Sequence, residues 1–307
     1  MSGASLPGGR ILLTGVRGQV GGELLDLLSP LGEVVAPVRE EMDLVDRASV
    51  RDMVRAVQPR WIVNPAAYTA VDKAEDEPEL AYAVNAEAVR VIGEEAQAIG
   101  AGVIHFSTEY VFDGSGTEPY VETDGTAPLS VYGASKLAGE RALLESGAAH
   151  LIFRTSWVFG SRGKNFLLTI LRLARERELI RVVGDQFGAP TWSRDLAMMT
   201  ANVITQCEAR AKGRDLTDTL REIGGIYHAA GGGETTWFGF AERAVQLLKE
   251  REPQTRFAKI EDIPTSEYRT TAKRPANSRM NCEKLAAQFG WSMMDWRDAT
   301  QRVLANL

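Results

Sequence analysis

Cysteine is scarce in this chain: only Cys207 and Cys282 occur among 307 residues. Neither stands in a Cys-x-x-Cys or Cys/His spacing, so neither a disulfide framework nor a zinc site is suggested. No stretch approaches the roughly 20 consecutive apolar residues of a membrane span. A basic excess is also missing. With 35 Lys+Arg against 41 Asp+Glu the formal net charge is -6, which argues against nucleic acid or an anionic membrane as the main partner, since both require basic patches. The start, MSGASLPGGR, is small and flexible in composition and carries no apolar stretch of signal-peptide length, so a soluble, cytoplasmic protein is expected. There is no internal repeat and no low-complexity tract. What remains is an ordinary globular composition, 44% hydrophobic and 25% charged, in a chain long enough for one large domain or two modest ones.

Short apolar runs alternate with segments of helical period. Ile11 to Gly15 reads as a strand ending in a glycine turn, and Val20, Leu24, Leu25, Leu27 and Leu28 follow at helical spacing. GEVVAPV is a second strand, Ser49 to Gln58 a helix, WIVNPAAY a strand running into a loop, and a helix is expected from near Pro78 to Ile99. GVIHFSTEYVF is the next strand with its exit loop, Tyr132 to Glu145 a helix, and LIFRTSWVFG a strand. This alternation predicts an α/β fold with a Rossmann-type doubly wound parallel sheet. The domain expectation is a dinucleotide-binding domain over 1–160, with 186–230 returning to it, and a smaller mixed substrate-binding domain over 161–185 and 231–307. Cys207 to Gly224 is polar and charge-rich and reads as an exposed excursion. DQFGAPTW reads as a structured loop returning to the sheet.

The turn after the first strand is GVRGQVG, with Gly15, Gly18 and Gly21 three residues apart. Glycines there allow a tight turn and let backbone N–H groups approach a pyrophosphate at a helix N-terminus. A plain strand–helix turn has the same composition, but the position after the first strand of an α/β alternation favours a dinucleotide. An acid closing the second strand would bind the adenosine ribose and oppose a 2′-phosphate; none comes before Glu40. Arg17 and Arg39 are cations suited to face a 2′-phosphate, so NADPH is preferred to NADH, and Asp43 is placed at the adenine edge.

Tyr132 and Lys136, in VYGASKLAGE, are four residues apart and share one helix face. A free phenol has a pKa near ~10, and a neighbouring ammonium is expected to pull it down toward the working range. Thr108, in HFSTEYVF, falls at the carboxyl edge of the preceding strand, where it can hydrogen-bond a substrate carbonyl beside Tyr132. Glycine loop, strand-end threonine and Tyr-x-x-x-Lys together point to ketone reduction.

These residues, with AYTAVDKAEDEPELAYAVNA, STEYVFDGSG, DQFGAPTW and RPANSRM, resemble the dTDP-4-dehydrorhamnose reductase family over nearly the whole chain. The resemblance implies NAD(P)H-dependent reduction at carbon 4 of dTDP-6-deoxy-L-lyxo-4-hexulose, with Tyr132 as proton donor, Lys136 supporting it and Thr108 positioning the carbonyl. It also implies cofactor contacts from Gly15, Arg17, Gly18, Gln19 and Val20, and from Asp43 and Leu44 at the adenine. Ala66, Ala67, Tyr68 and Asn85 flank the cofactor, and Tyr110 and Trp157 lie near the sugar. Two departures stand out. Glu109 occupies a position where the family often has Asp. Glu23 keeps one acid of a metal site found at a dimer interface in some members, but Arg194 stands where a second acid is expected, so no metal is expected. Monomer and homodimer both stay open.

Toward the C-terminus, Arg274, Asn277, Ser278 and Arg279 fall within six residues. The arginine fork suits the diphosphate of a nucleotide sugar, against a solvated basic loop as the plain alternative. Trp192, Trp237, His105 and His228 read as structural, and Trp291, Met293 and Met294 as packing for the last helix. Thr108-Glu109-Tyr110 lacks the second carboxylate of the related dehydratases. An epimerase, another nucleotide-sugar reductase, and a non-catalytic NADP-binding regulatory subunit of the methionine adenosyltransferase type are the competing readings.

Overall fold

Strands β1 (Arg10–Leu13), β2 (Glu33–Val35), β3 (Trp61–Asn64), β4 (Gly102–Thr108), β5 (His150–Thr155) and β6 (Gly225–His228) form one sheet in the order β6-β5-β4-β3-β1-β2. Every pairing in it is parallel. The computed structural model describes residues 9–212 and 214–307, and the flexible start expected over MSGASLPGGR lies, before Gly9, outside the described residues. Along β1, Ile11 and Leu13 join one apolar cluster and Leu12 the other; Trp61 and Val63 part from Ile62 in the same way. Helices cover both faces, so the strands are apolar throughout rather than alternating with polar residues. The order reverses between β1 and β3, and a crevice opens there at the carboxyl ends of the strands.

A further apolar cluster joins the helices Phe166–Glu176, Trp237–Arg251 and Trp296–Ala305. Beside them Leu179–Val183 pairs in parallel with Lys259–Ile263.

Several expectations are corrected. The 207–224 segment is not an exposed excursion. Cys207 closes a helix over Ser193–Arg210, and Leu216–Ile223 is a helix whose Leu216 and Leu220 are buried in the cluster under the sheet. Its four-residue leucine spacing makes an apolar stripe that the surrounding charges mask. Strand β2 stops at Val35, short of Pro37, which has no N–H to extend a ladder. The helix expected over 78–99 is interrupted by a π turn at Ala83–Glu87. LIFRTSWVFG breaks after Thr155. Trp157 has φ 47, and Val158–Phe159 pairs with Thr191–Trp192. Nor does DQFGAPTW return to the main sheet; Phe187–Gly188 pairs with Thr235–Thr236 instead. Of the C-terminal packing trio, only Met294 packs with the last helix's cluster, whereas Met293 and Trp291 join the cluster under the sheet.

Candidate active site

Helix α1 (Gln19–Leu28) begins at Gly18 with no side-chain cap, so its first N–H groups face the crevice free of a competing side chain. Gly15 has φ +63, a left-handed conformation that glycine adopts without strain. A Cβ on Gly21 would lie 2.2 Å from the Gly15 carbonyl oxygen, so the helix can meet the loop this closely only without a side chain. The floor is tied across the switch point: Thr14 Oγ1 donates to Asn64 Oδ1 at 2.6 Å and accepts from Ala66 N at 3.2 Å.

The result is a cleft of roughly 660 Å³, within the range of small-molecule sites. Gly15, Arg17, Gly18, Gln19 and Val20 line one wall, and Arg39, Asp43 and Leu44 the outer end. Ala66, Ala67 and Tyr68 line the opposite wall, and Tyr132 and Lys136 the inner end. Asn85 is not on the lining. It sits in the π turn and holds the wall from behind, accepting from Tyr68 N at 2.8 Å and donating to Tyr68 O at 3.1 Å and Ser135 Oγ at 3.0 Å. Both outer arginines are paired with acids, Arg17 with Glu40 at 3.2 Å and Arg39 with Asp43 at 3.6 Å.

Thr14, Ser107, Thr155 and Lys164 also line the cleft, and the sequence reading passed over all four. Thr14 and Ser107 stand at strand ends, where a rule giving every polar strand-end residue to the site would have caught them. Lys164 belongs to a loop brought in by long-range bonds: Asn165 Nδ2 donates to Gln19 Oε1 at 3.0 Å, and Gln19 Nε2 to Val158 O at 3.2 Å. No local spacing announces it.

Ser130 caps the helix Val131–Glu145 by accepting from Gly133 N at 3.2 Å. Tyr132, Lys136 and Glu140 follow at one-turn intervals, and Glu140 forms a buried bidentate pair with Arg154 of β5 at 2.9 and 2.7 Å. That pair docks the helix on the sheet. Lys136 Nζ donates to Phe106 O at 2.6 Å and lies 3.2 Å from His105 Nε2, whose ring Nδ1 is 3.1 Å from Asn64 Nδ2. Burial pulls the Lys136 ammonium down to about 8. Tyr132 departs from expectation. Its phenol is pushed up, first by burial and then by the Glu109 carboxyl, while a hydrogen bond with Thr108 pulls the other way. The lysine does not offset this because its ammonium points at the β4 carbonyl rather than at the phenol.

Beyond Tyr132, Tyr110 packs edge-on against it with ring centroids 5.4 Å apart. Thr108, buried, closes β4; its Oγ1 accepts from Tyr110 N at 3.2 Å and lies 2.7 Å from Glu109 Oε2. Trp157 stacks on Trp237 at 3.7 Å and lies against Gly188. Arg274 is held by Asp72, at 2.6 and 3.2 Å. Asn277 donates to Gly116 O at 3.0 Å and Glu118 O at 2.8 Å, and its Oδ1 accepts from Arg279. Arg279 also reaches Glu234 at 2.8 Å and Thr117 O. Thus Asn277 and Arg279 fasten 274–280 to the 114–118 loop, and Arg274 is nearer the tyrosines. Glu23, which the resemblance matches to one acid of an interface metal site in some family members, has its carboxylate between Arg162 at 3.4 Å and Arg194 at 3.3 Å. Two guanidinium groups leave that carboxylate no role as a cation ligand, and the residues do not fit a metal.

The family model described as the RmlD substrate binding domain matches residues 9–307. A dTDP-4-dehydrorhamnose reductase of Burkholderia thailandensis is 46% identical over 293 residues, 94% of this chain and 96% of that protein. One of Escherichia coli K12 is 45% identical over 301 residues, 97% of each. Among solved structures, a dTDP-4-dehydrorhamnose reductase of Bacillus anthracis in complex with NADP is similar with a TM-score of 0.87 and 33% identity, covering 97% of this chain and 99% of that one.

Proposed function

Since the chain belongs to the RmlD substrate binding domain family and is an NAD(P)H-dependent oxidoreductase, we propose that it reduces the 4-keto group of dTDP-6-deoxy-L-lyxo-4-hexulose with NADPH, yielding dTDP-L-rhamnose. The observation that carries this reading is Tyr132 and Lys136 together on the lining of a glycine-walled cleft, with Thr108 hydrogen-bonded to the Tyr132 phenol from behind. The residues fit a dinucleotide: an uncapped helix N-terminus, a wall a Cβ would fill, and Arg17 and Arg39 at the adenosine end. Both arginine pairs are exposed, and exposed pairs are worth little, so a 2′-phosphate can displace Glu40 and Asp43 at small cost.

The reduced nicotinamide, when bound, supplies the hydride. Tyr132 gives its phenolic proton to the ketone oxygen: the Tyr132 O–H bond breaks as the new hydroxyl forms, and solvent reprotonates the phenolate. Thr108 orients the ketone oxygen beside the phenol. Lys136, on the cleft lining one helical turn from Tyr132 and anchored on Phe106 O, would hold the hydroxyls of the nicotinamide ribose when the cofactor is bound. Arg274 faces the diphosphate.

The test follows loss of reduced-nicotinamide absorbance on mixing protein, NADPH and the 4-keto sugar made in situ from dTDP-glucose. Oxidation that needs both sugar and protein is expected, and Tyr132→Phe should bind NADPH yet lose about two to four orders of magnitude in turnover. Wild-type turnover in that variant removes Tyr132 as the donor; no oxidation by the native protein removes the function and favours a regulatory role.

A further inference from the structure

Glu109 is a buried carboxyl, 3% exposed, for which the mechanism above has no use. No Lys, Arg or His is within ion-pair distance of it among the described residues. Among the described residues its one side-chain partner is the hydroxyl of Thr108, 2.7 Å away. The titratable groups that face it are Tyr132 from the Val131–Glu145 helix and its own neighbour Tyr110, beyond which stands the Arg274–Asp72 pair. Lys136, one turn further along the helix, is turned toward Phe106 O and His105.

A threonine hydroxyl has one proton to donate and two lone pairs. One lone pair of Thr108 Oγ1 is taken by Tyr110 N–H at 3.2 Å. If Glu109 is ionised, the carboxylate can only accept, and Thr108 turns its single proton onto Oε2. If Glu109 is protonated, its O–H donates to the second lone pair of Thr108, across the same oxygen–oxygen distance. The threonine proton is then free to point at Tyr132 and at the ketone oxygen beside it.

We propose that Glu109 is a positioning residue for the reduction: its protonated carboxyl donates to Thr108 Oγ1 and so turns the Thr108 proton toward the substrate carbonyl. No bond to substrate is made by Glu109, and no proton leaves it in the cycle. Ionisation withdraws the threonine as a donor and sets a negative charge beside the phenol that must become a phenolate. Burial pushes the Glu109 carboxyl up to about 7. The active form therefore predominates below that pH and is lost as pH rises through it. The inference rests on the reductase reading above.

The experiment is the pH profile of kcat/KM for the 4-keto sugar, at saturating NADPH, in the native protein, Glu109→Gln and Thr108→Val. In the native protein kcat/KM should fall as pH rises through about 7, tenfold per pH unit once past it. Glu109→Gln carries a permanent amide donor to Thr108, so it should stay active and lose this limb, leaving only the decline set by other groups. Thr108→Val should be slower and should lose the part of the limb that runs through the hydroxyl, keeping only the part that the Glu109 charge exerts directly on the phenol. An unchanged alkaline limb in either variant overturns the proposal, while oxidation by the native protein keeps the reductase reading. Absence of oxidation by the native protein would instead sink that reading. Should Glu109→Gln fail to fold, Thr108→Val decides.

Discussion

On one side of Tyr132 the cleft wall is mostly peptide backbone, with Gly15, Gly18 and the Ala66–Ala67 stretch bringing main chain to the surface. On the other side, beyond the lining of the cleft, stand side chains that hold one another: Tyr110 edge-on to Tyr132, Arg274 clasped by Asp72, Arg279 by Glu234. A wall of backbone is altered only by adding atoms to it, and its tolerance is set by sterics. A wall of paired side chains can be retuned one residue at a time, because each pair trades against whatever ligand enters. Cofactor binding and sugar binding should therefore fail separately, except where a substitution strikes the helix that both share.

The largest effect is expected at that shared helix. Glu140→Ala leaves Arg154, whose side chain is 3% exposed, buried without its carboxylate. Removing one partner of a buried pair costs about 3–5 kcal/mol. The loss should appear as a lower denaturation midpoint in urea, with both nicotinamide and sugar kinetics impaired. A midpoint within error of the native value would mean that the pair does not dock the helix. Replacing both residues by apolar ones of similar volume should restore much of the stability, since neither charge is then stranded.

Gly21→Ala comes next and breaks the backbone wall alone. Its Cβ would meet the Gly15 carbonyl oxygen at 2.2 Å, and that oxygen belongs to main chain that cannot rotate away. Overpacking of this kind costs about 1–3 kcal/mol, or roughly five- to 150-fold if it falls on the bound loop geometry. Titration with NADPH should show that weakening, while the sugar KM at saturating NADPH stays near native. Equal losses for both ligands would erase the distinction between the two walls.

The same contrast explains what could be read from the sequence. Backbone walls advertise themselves, because only glycine fits at Gly15 and Gly21, and the spacing survives in the chain as letters. The strand–helix alternation was legible for the same reason: continuous apolar runs such as ILL and WIV must be buried on both faces. Asn85 was placed beside the cleft by resemblance, yet its side chain works behind the wall, held there by a π turn that no residue pattern marks. The Leu216–Ile223 helix was masked by its charges. Lys164 reaches the cleft only because Asn165 and Gln19 bond across 146 residues of chain. The direction of Lys136 Nζ depends on a β4 carbonyl, not on the four-residue spacing that pairs it with Tyr132.

The smallest effect is expected in the side-chain wall, at Arg274. Its guanidinium already has a carboxylate partner, with Asp72 at 2.6 and 3.2 Å, and Asp72 in turn accepts from Ala272 N at 3.1 Å. That pairing holds the Asp72 carboxyl below its ordinary range. A diphosphate must therefore replace or share one charge-assisted partner with another, and only the difference reaches the affinity. Charge-assisted hydrogen bonds contribute about 1.5–3 kcal/mol, so a difference of about 1 kcal/mol is reasonable, or roughly fivefold in KM. Arg274→Ala should raise the sugar KM by that order and leave NADPH affinity alone. Asp72→Asn should move the sugar KM the other way, because it releases the guanidinium without removing it. If both substitutions raise the sugar KM, the pair serves as a strut for the loop at Ala272 rather than as a rheostat for the diphosphate.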